Sequence, residues 1–396
     1  MTRTDRLSTL YLHANGFGSR VVWADTVLRG LLGYRDGAQP PRPLRRFRKV
    51  RALFRELQDI YAPLCYIADW RDAFLRSPAL DVHVCNINNL GHYARCLLCI
   101  RDYDLIVISH AAAGDDMTIL RRSAAAFHRR RGPIALFIGN EYALLEDKIA
   151  FIRDVQVDHV CSQLPLAAAR YLYGEAAGDR IVEMPHALNP HSFHRLPDRP
   201  RTIDVGFIGD IYWPFIGDRE RTDFIEWFER HGAASGLSCD IRRRRIGREA
   251  WNLFLNDCRA IVGAESNTYY LNERGRLLER ARAYNIAHPD AAFETVFDLF
   301  FRDQPRGVSG KCLSSRHFEP IGTQTVQVLL EGAYNGILEA GVHYIPVKKD
   351  LSDLSGAIER LKDADYCSRL AADTFDYAMA SHTHDHRVAR LVSLLS

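Results

Sequence analysis

Residues 314–353, SSRHFEPIGTQTVQVLLEGAYNGILEAGVHYIPVKKDLSD, combine a polar cluster with two apolar runs. The first run, Val326–Leu330, predicts a buried helix, and the second, residues 343–347, predicts a strand. Helices that alternate with strands are typical of parallel sheets covered by helices. The stretch therefore favours an α/β fold in which charged residues precede a helix.

The charged residues of this stretch, together with Lys311, are suited to binding an anion where the predicted helix begins. A helix start carries unpaired N–H groups and a partial positive charge, so a diphosphate can lie there, with Gly322 and Thr323 allowing close backbone approach. Glu319 fits a ribose acceptor, because a carboxylate accepts hydrogen bonds from both hydroxyls of a diol. Lys311 and Arg316 would offset the phosphate charge. The alternative is a solvated helix end with an ordinary Arg316–Glu319 pair.

The same stretch resembles the carboxyl-terminal signature of group 1 glycosyltransferases, in particular the branch similar to spore maturation protein B. That signature reads R-x-F-E, a small-residue turn and an apolar helix, and it matches Arg316, Phe318 and Glu319. Further matches are GVHYIPVKKDLSDLSGAI, SHTHDHRVARL with its H-T-x-x-x-R pattern, and MPHALNPHSFH. The resemblance is extensive in the C-terminal half and thin in the N-terminal half.

The resemblance implies the GT-B architecture, which is α/β with two doubly wound Rossmann-like domains facing a cleft. Ligands of such sheets bind beyond the carboxyl ends of the strands. A proline-rich connector, MPHALNPHSFHRLPDRPR, predicts the division between an acceptor-side domain, residues 1–195, and a nucleotide-sugar-binding domain, residues 200–380. By analogy with the family, the helix at 384–396 packs back on the first domain.

The predicted elements of both domains come from short apolar runs separated by amphipathic segments. The predicted strands are 10–14, 80–85, 105–108, 134–138, 157–161, 203–208, 260–263 and 343–347, and the predicted helices include 117–131, 143–154 and 222–231.

Two strand-end loops of the second domain match donor-binding loops of the family. In the loop after strand 203–208, Gly209 would permit close backbone approach, and Arg219 and Arg221 could neutralise the diphosphate, which gains charge as it leaves. Glu265 stands where the family has base or sugar contacts. The alternatives are arginines that only pair with Glu220 or Asp223, and an ordinary polar loop.

Lys311 departs from the family pattern. Many group 1 transferases carry two glutamates eight positions apart, and the second matches Glu319, whereas the first is replaced by Lys311. The replacement removes the carboxylate that usually contacts the transferred sugar. The donor sugar and the retaining or inverting outcome therefore stay open.

Strand ends in the first domain carry the candidates for acceptor chemistry. His110 and Glu141 each follow a predicted strand, and either could act as the general base that deprotonates a sugar hydroxyl. Which of the two acts is open, and each could instead be a structural residue. Gly16 and Gly18 form a lone G-x-G near the start, with Val21 in place of the third glycine, and predict only a loop.

Composition limits the class of protein. The 396 residues are 47% hydrophobic with a net charge of +3, which suits two domains and gives little support for a dedicated nucleic-acid binder. Basic runs at 40–55 and 242–245 are solvated segments or contacts for an anionic lipid or membrane surface. Nine cysteines without framework spacing, and the lack of a signal peptide or long apolar run, indicate the cytoplasm, with membrane contact only peripheral.

No metal or other cofactor is expected, because the histidine and cysteine groups lack a complete set of ligand spacings. These groups are His186, His191 and His194, then His382, His384 and His386, and the C-x-x-C pair Cys96 and Cys99. The C-x-x-C pair, without a second pair, is ascribed to packing.

The sequence therefore predicts a metal-independent, hexosyltransferase-like enzyme that moves a sugar from a nucleoside diphosphate sugar to a hydroxyl acceptor. The acceptor would be a glycan, glycolipid or similar molecule of surface polysaccharide or glycolipid biosynthesis. Two alternatives remain open. One is a nucleic-acid (modified base) glycosyltransferase, and the other is a non-catalytic sugar-nucleotide-binding protein.

Overall fold

The computed structural model describes residues 6–15, 47 and 64–395. Its contact pattern divides the chain into two compact units, Met1–Cys161 and Ser162–Ser396. The predicted domain limits at 195 and 200 stay predictions. Gly16, Gly18 and, apart from Phe47, the basic run 40–55 lie outside the described residues.

Two parallel sheets organise the described residues. The strands are β1 Leu7–His13, β2 Leu80–Asn86, β3 Leu105–Ile108, β4 Ile134–Phe137, β5 His159–Ser162, β6 Ile181–Glu183, β7 Ile203–Ile208, β8 Cys239–Arg242, β9 Cys258–Gly263, β10 Val326–Leu330 and β11 Ile345–Val347. One sheet has the order β2-β1-β3-β4-β5-β6, and the other has the order β11-β10-β9-β7-β8. The predicted strands 105–108 and 203–208 are confirmed to the residue.

Helices lie in most of the connections between these strands, as is usual for parallel pairing. The helices are α1 Cys65–Arg76, α2 Leu90–Leu98, α3 Thr118–Arg122, α4 Ala124–Phe127, α5 Leu145–Val155, α6 Leu166–Ala177, α7 Glu220–His231, α8 Arg248–Asp257, α9 Arg276–Ala287, α10 Phe293–Phe300, α11 Ser315–Gly322, α12 Leu354–Lys362, α13 Ala364–Ser381 and α14 His384–Ser393. Among the described helices, none combines the length and apolar character needed to cross a bilayer.

The prediction of a helix at Val326–Leu330 is wrong, because this run is strand β10. All five of its residues are buried, and β10 pairs in parallel with β9 on one side and β11 on the other. A short apolar run in the middle of a sheet cannot be told from a buried helix by periodicity alone. The helix lies earlier, at α11, so Arg316 and Glu319 are inside a helix and not ahead of one.

The core of the second unit lies against the β7–β9–β10 part of its sheet. One face of α7 supplies Phe224, Ile225 and Phe228, the residues predicted to share a helix face, and all three are buried. They pack with Val205 of β7 and Val328 of β10 in one hydrophobic cluster. This packing fixes the strand ends from which the site loops leave.

The last helix, α14, is held by the segment that the sequence analysis assigned to the first domain. Its buried Arg387 donates to the carbonyl oxygen of Pro185 at 3.1 Å, and Arg390 donates to the carbonyl oxygen of Glu183 at 3.1 Å. Thr383 caps the helix together with the His386 side chain. Two residues of the C-terminal motif, Thr383 and Arg387, therefore have structural contacts.

Gly322 gives a test of how tightly α11 is packed. A Cβ atom at this position would overlap the carbonyl oxygen of Phe193 and lie 2.7 Å from the Leu188 side chain. We expect Gly322→Ala to lower the free energy of unfolding by about 1–3 kcal/mol, the usual cost of overpacking. The matched control is the exposed Gly356 in α12, where a Cβ atom meets nothing within 4 Å. Gly356→Ala should stabilise by about 0.5–1 kcal/mol. Equal midpoints of thermal unfolding for the two variants would contradict this packing.

Candidate functional site

Helix α11 begins at a fixed point beside strand β9. Ser314 is its N-cap, and the backbone N–H of Ser314 donates to Nδ1 of His317 at 3.0 Å. The other ring nitrogen of His317 lies 3.1 Å from the carbonyl oxygen of Ala264, directly after β9. Burial lowers the pKa of His317 to about 4, so the ring is neutral and can accept at Nδ1 while it donates at Nε2. The start of α11 is thereby attached to the end of β9.

Glu265 continues this attachment to the segment after β10. Its buried carboxylate accepts a hydrogen bond from the backbone N–H of Tyr334 at 2.8 Å. Gly332 leaves space for the same carboxylate, because a Cβ atom there would overlap it. Glu265 therefore shapes two loops in this structure, and its predicted role in donor binding stays a prediction.

Glu319 is a buried carboxylate with one oxygen engaged. The side chain is 2% exposed, and its Oε2 accepts a hydrogen bond from Nε1 of Trp251 at 2.6 Å. The Arg316 Nε atom lies 3.7 Å from the same oxygen, and the Arg316 guanidinium lies 4.3 Å from the centre of the Trp251 ring. Within the described residues, Glu319 Oε1 and Arg316 Nη1 are buried without a hydrogen-bond partner. A buried polar atom without a partner is costly, so this pair of atoms is suited to a ligand.

Arg219, which precedes α7, and Arg221, in the first turn of α7, have different surroundings. Arg219 is partly exposed and pairs with Asp223 at 2.7 Å and Glu294 at 2.8 Å, which is the ion-pair alternative considered above. Arg221 donates to the Asp210 carbonyl oxygen at 3.1 Å and forms no ion pair within the described part of the chain.

Aromatic rings and other cations surround Arg221. Its guanidinium lies 4.6 Å from the centre of the Tyr212 ring and 5.3 Å from that of Phe207. Burial lowers the pKa of Arg221, and the charges of Arg316 and Arg245 lower it further, whereas Tyr212 and the Asp218 carboxylate raise it. A partly buried cation that lies beside other cations and forms no ion pair favours an anion, so Arg221 and not Arg219 has the surroundings of a phosphate ligand.

Lys311 has a carboxylate partner, Asp218, in the loop after β7. Lys311 and Asp218 form a buried ion pair. The Lys311 Nζ atom also lies 4.7 Å from the centre of the Tyr269 ring, whose hydroxyl donates to Glu220 at 2.5 Å. The cation at position 311 is therefore neutralised by Asp218, so a carboxylate lies beside that position.

Three further predicted residues have their backbone or side chain already engaged. The Gly209 N–H donates to the Arg242 carbonyl oxygen at 3.1 Å. Gly322 is the last residue of α11, and the Thr323 hydroxyl donates to the Pro320 carbonyl oxygen at 3.0 Å. The expectation that Gly322 and Thr323 lie at a helix start is wrong, because they lie where α11 ends and its carbonyl groups face outward.

The first unit places the acceptor candidates after neighbouring parallel strands. His110 follows β3, is buried, and lies among aromatic rings, 5.6 Å from Trp70 and 5.3 Å from Phe137 between ring centres. Glu141 follows β4 and is fully buried. Sequence reasoning missed His13, the last residue of β1, where burial lowers the imidazole pKa to about 4. The signal available was its position, a titratable residue at a strand end beside the lone G-x-G.

Sequence reasoning also missed Trp251 and Asp218, the partners of Glu319 and Lys311. Asp218 stands beside Arg219 in a loop that was already of interest, so its position was the available signal. Trp251 lies in α8, 68 residues before Glu319, and nothing local marks it. The arginines of the run 242–245 pair mainly with acidic residues, as Arg243 does with Glu229 at 2.5 Å.

Comparison with known proteins identifies the fold. No protein-family model and no curated protein matches the chain. Solved structures that resemble it include an alpha-glucosyltransferase in complex with UDP-glucose and DNA containing an abasic site, with 9% identity over 98% of this chain and 99% of that chain and a TM-score of 0.56. The alpha-glucosyltransferase with UDP and a 13-mer DNA containing a HMU base gives 9% identity over the same shares and a TM-score of 0.54. Anabaena Alr3699/HepE in complex with UDP-glucose gives 10% identity over 98% of this chain and 100% of that chain, with a TM-score of 0.49.

The likeness to the alpha-glucosyltransferase structures extends over nearly the whole of both chains and shows the fold. The chain has the α/β GT-B fold, with two parallel sheets and connecting helices. The predicted fold class is confirmed. The branch similar to spore maturation protein B stays a prediction.

Proposed function

We propose that the chain is a glycosyltransferase that moves a sugar from a nucleoside diphosphate sugar to a hydroxyl acceptor. The observation that carries the proposal is Glu319, whose buried carboxylate has one oxygen without a partner in the described residues, beside a half-buried Arg316. A ribose diol would supply the hydrogen bonds that this oxygen lacks. The GT-B fold is compatible with this activity, and the resemblance in residues 316–319 supports ribose binding by Glu319.

The diphosphate would lie against the start of α11. Arg316 offers a buried N–H group there, and Arg221 offers a partly buried guanidinium that forms no ion pair within the described residues. The partial positive charge of the helix start adds to these cations. The departing nucleoside diphosphate gains negative charge during transfer, so fixed cations stabilise the transition state more than the bound donor.

We expect Lys311 to act through its ion pair with Asp218. Because Asp218 neutralises Lys311, the lysine would position the β7 loop and not hold phosphate directly. The Asp218–Lys311 pair would stand in for the glutamate that many group 1 transferases have at the lysine position. Arg219, with its two carboxylate partners, is left out of the donor site.

The acceptor side remains open among buried residues of the first unit. His110 and Glu141 stay candidates for the general base, and His13 joins them by its position at the end of β1. We expect transfer to a glycan or glycolipid of surface polysaccharide biosynthesis. We also expect a hexose-like sugar and a rate that does not rise on adding Mg²⁺ or Mn²⁺.

The alternative of a nucleic-acid glycosyltransferase receives less support from the described residues. The arginines at 242, 243 and 245 each pair with a carboxylate, which reduces their attraction for a phosphate backbone. The non-catalytic alternative rested on the loss of a carboxylate at position 311, and Asp218 lies in contact with that position.

The ribose role of Glu319 predicts a specific pattern of nucleotide affinities. Calorimetry would compare UDP, GDP and dTDP, and then the more tightly bound of the two ribonucleotides with its 2′,3′-dideoxy analogue. We expect Glu319→Ala to weaken binding of the ribonucleotide roughly tenfold to hundredfold, because a hydrogen bond to a charged group contributes about 1.5–3 kcal/mol. The variant should bind the dideoxy analogue as wild type does.

The control for this experiment is Glu359→Ala, which removes an exposed glutamate paired with Lys362 at 3.0 Å. Thermal unfolding would show that both variants are folded. If wild type and Glu319→Ala discriminated equally between the ribonucleotide and its dideoxy analogue, Glu319 would have no contact with the diol.

The different surroundings of Arg221 and Arg219 predict different effects on phosphate binding. Arg221→Gln should weaken UDP binding at least about tenfold, as expected for the loss of a charge-assisted contact, and leave uridine binding unchanged. Arg219→Gln, the matched control, should change UDP affinity by no more than about twofold, because exposed ion pairs contribute little. Equal losses of UDP affinity in the two variants, measured by calorimetry, would contradict the assignment of Arg221 as a phosphate ligand.

A further inference from the structure

Four side chains of the first unit with metal-ligand chemistry converge between strand β2 and helix α2. His83 and Cys85 are two residues apart on β2, so their side chains lie on the same face of the strand. His92 and Cys96 are four residues apart on α2, which puts them on one face of the helix. The pattern H-x-C-x₆-H-x₃-C thus supplies two ligand pairs from adjacent elements.

The distances within this group fit one small cation. The Nε2 atoms of His83 and His92 are 3.2 Å apart. The ligand atoms of His83, His92 and Cys96 all lie within 4.8 Å of one another. Zinc bonds of about 2.0–2.1 Å to nitrogen and about 2.3 Å to sulfur separate tetrahedral ligands by roughly 3.3–3.8 Å, so only small side-chain movements are needed.

Hydrogen bonds outside the group orient its ligands. Nδ1 of His83 lies 2.6 Å from the Tyr103 hydroxyl, so this nitrogen can hold the ring proton and leave the lone pair of Nε2 facing His92. The two Nε2 atoms cannot both carry protons at their separation, because two donors would repel. Asn89 caps the start of α2 by accepting from the backbone N–H of His92, which fixes the position of that residue.

The two cysteines complete the arrangement. Cys85 is fully buried and Cys96 is nearly so. A thiol hydrogen bond joins Cys85 to Cys96, so their sulfur atoms are adjacent. Zinc binds cysteine in the thiolate form. Cys99, the other half of the C-x-x-C motif, is exposed and does not belong to the group.

We propose that His83, His92 and Cys96 bind a Zn²⁺ ion, with Cys85 as the fourth ligand. Nitrogen and sulfur donors in this combination favour zinc over magnesium or calcium, which prefer oxygen. A site with four protein ligands has no open position for chemistry, so the ion is structural. It holds α2 against β2, an edge strand of its sheet, and is independent of the donor site proposed for the second unit.

Cobalt substitution in the full-length protein tests the proposal. After removal of metal by a chelator, Co²⁺ should bind at one equivalent, give the visible bands of tetrahedral cobalt and a thiolate-to-cobalt charge-transfer band, and be displaced by Zn²⁺. Zn²⁺ should also raise the Tm of the metal-free protein. Tyr103→Phe should weaken Zn²⁺ binding roughly 10–100-fold, as loss of an orienting hydrogen bond does at other metal sites.

Ligand variants and matched controls locate the ion. Cys96→Ser should abolish the charge-transfer band, and His92→Ala should weaken Co²⁺ binding by more than Tyr103→Phe does. The controls Cys99→Ser and His128→Ala change exposed residues and should keep the wild-type spectrum and stoichiometry.

Two results would overturn the zinc site. One is wild-type protein that shows no charge-transfer band with Co²⁺, with Cys85 and Cys96 found as a disulfide by mass spectrometry. The other is an unchanged cobalt spectrum in folded Cys96→Ser. The wild-type result decides the matter even if a ligand variant fails to fold, and neither outcome depends on sugar transfer.

Discussion

The buried carboxylate of Glu319 is the constraint around which the second unit is arranged. A carboxylate removed from water costs free energy unless hydrogen bonds and opposite charge compensate it. Trp251 donates to one oxygen at 2.6 Å and Arg316 lies 3.7 Å from it, whereas the other oxygen has no partner in the described part of the chain. The protein thus supplies the partners of Oε2, and the proposed ribose would supply hydrogen bonds to Oε1.

The surrounding elements keep this carboxylate in place from several directions. His317 attaches the start of α11 to the end of β9, and Gly322 packs the end of α11 against the backbone of Phe193. Glu265 connects the β9 loop to the segment after β10, while the Lys311–Asp218 pair joins the approach to α11 with the β7 loop. These contacts together fix the position of α11 and of the loops beside its start.

The sequence predicted the α/β class and many strands, because short apolar runs between amphipathic segments are a local pattern. The prediction of a helix at Val326–Leu330 was wrong, because the run alone does not distinguish a strand from a buried helix. Pairing with β9 and β11 on its two sides makes this run a strand. The sequence identified Arg316 and Glu319 from a local motif but could not find Trp251, which is 68 residues away. It also could not separate Arg219 from Arg221, since only the folded chain brings Glu294 to the first.

A crystal structure of the protein with a bound nucleoside diphosphate would decide whether Glu319 binds the ribose. We expect both ribose hydroxyls within hydrogen-bond distance of Glu319 Oε1 and the phosphates in contact with Arg221 and the start of α11. A nucleotide bound elsewhere, with Glu319 Oε1 still unpaired or occupied by another protein group, would contradict it.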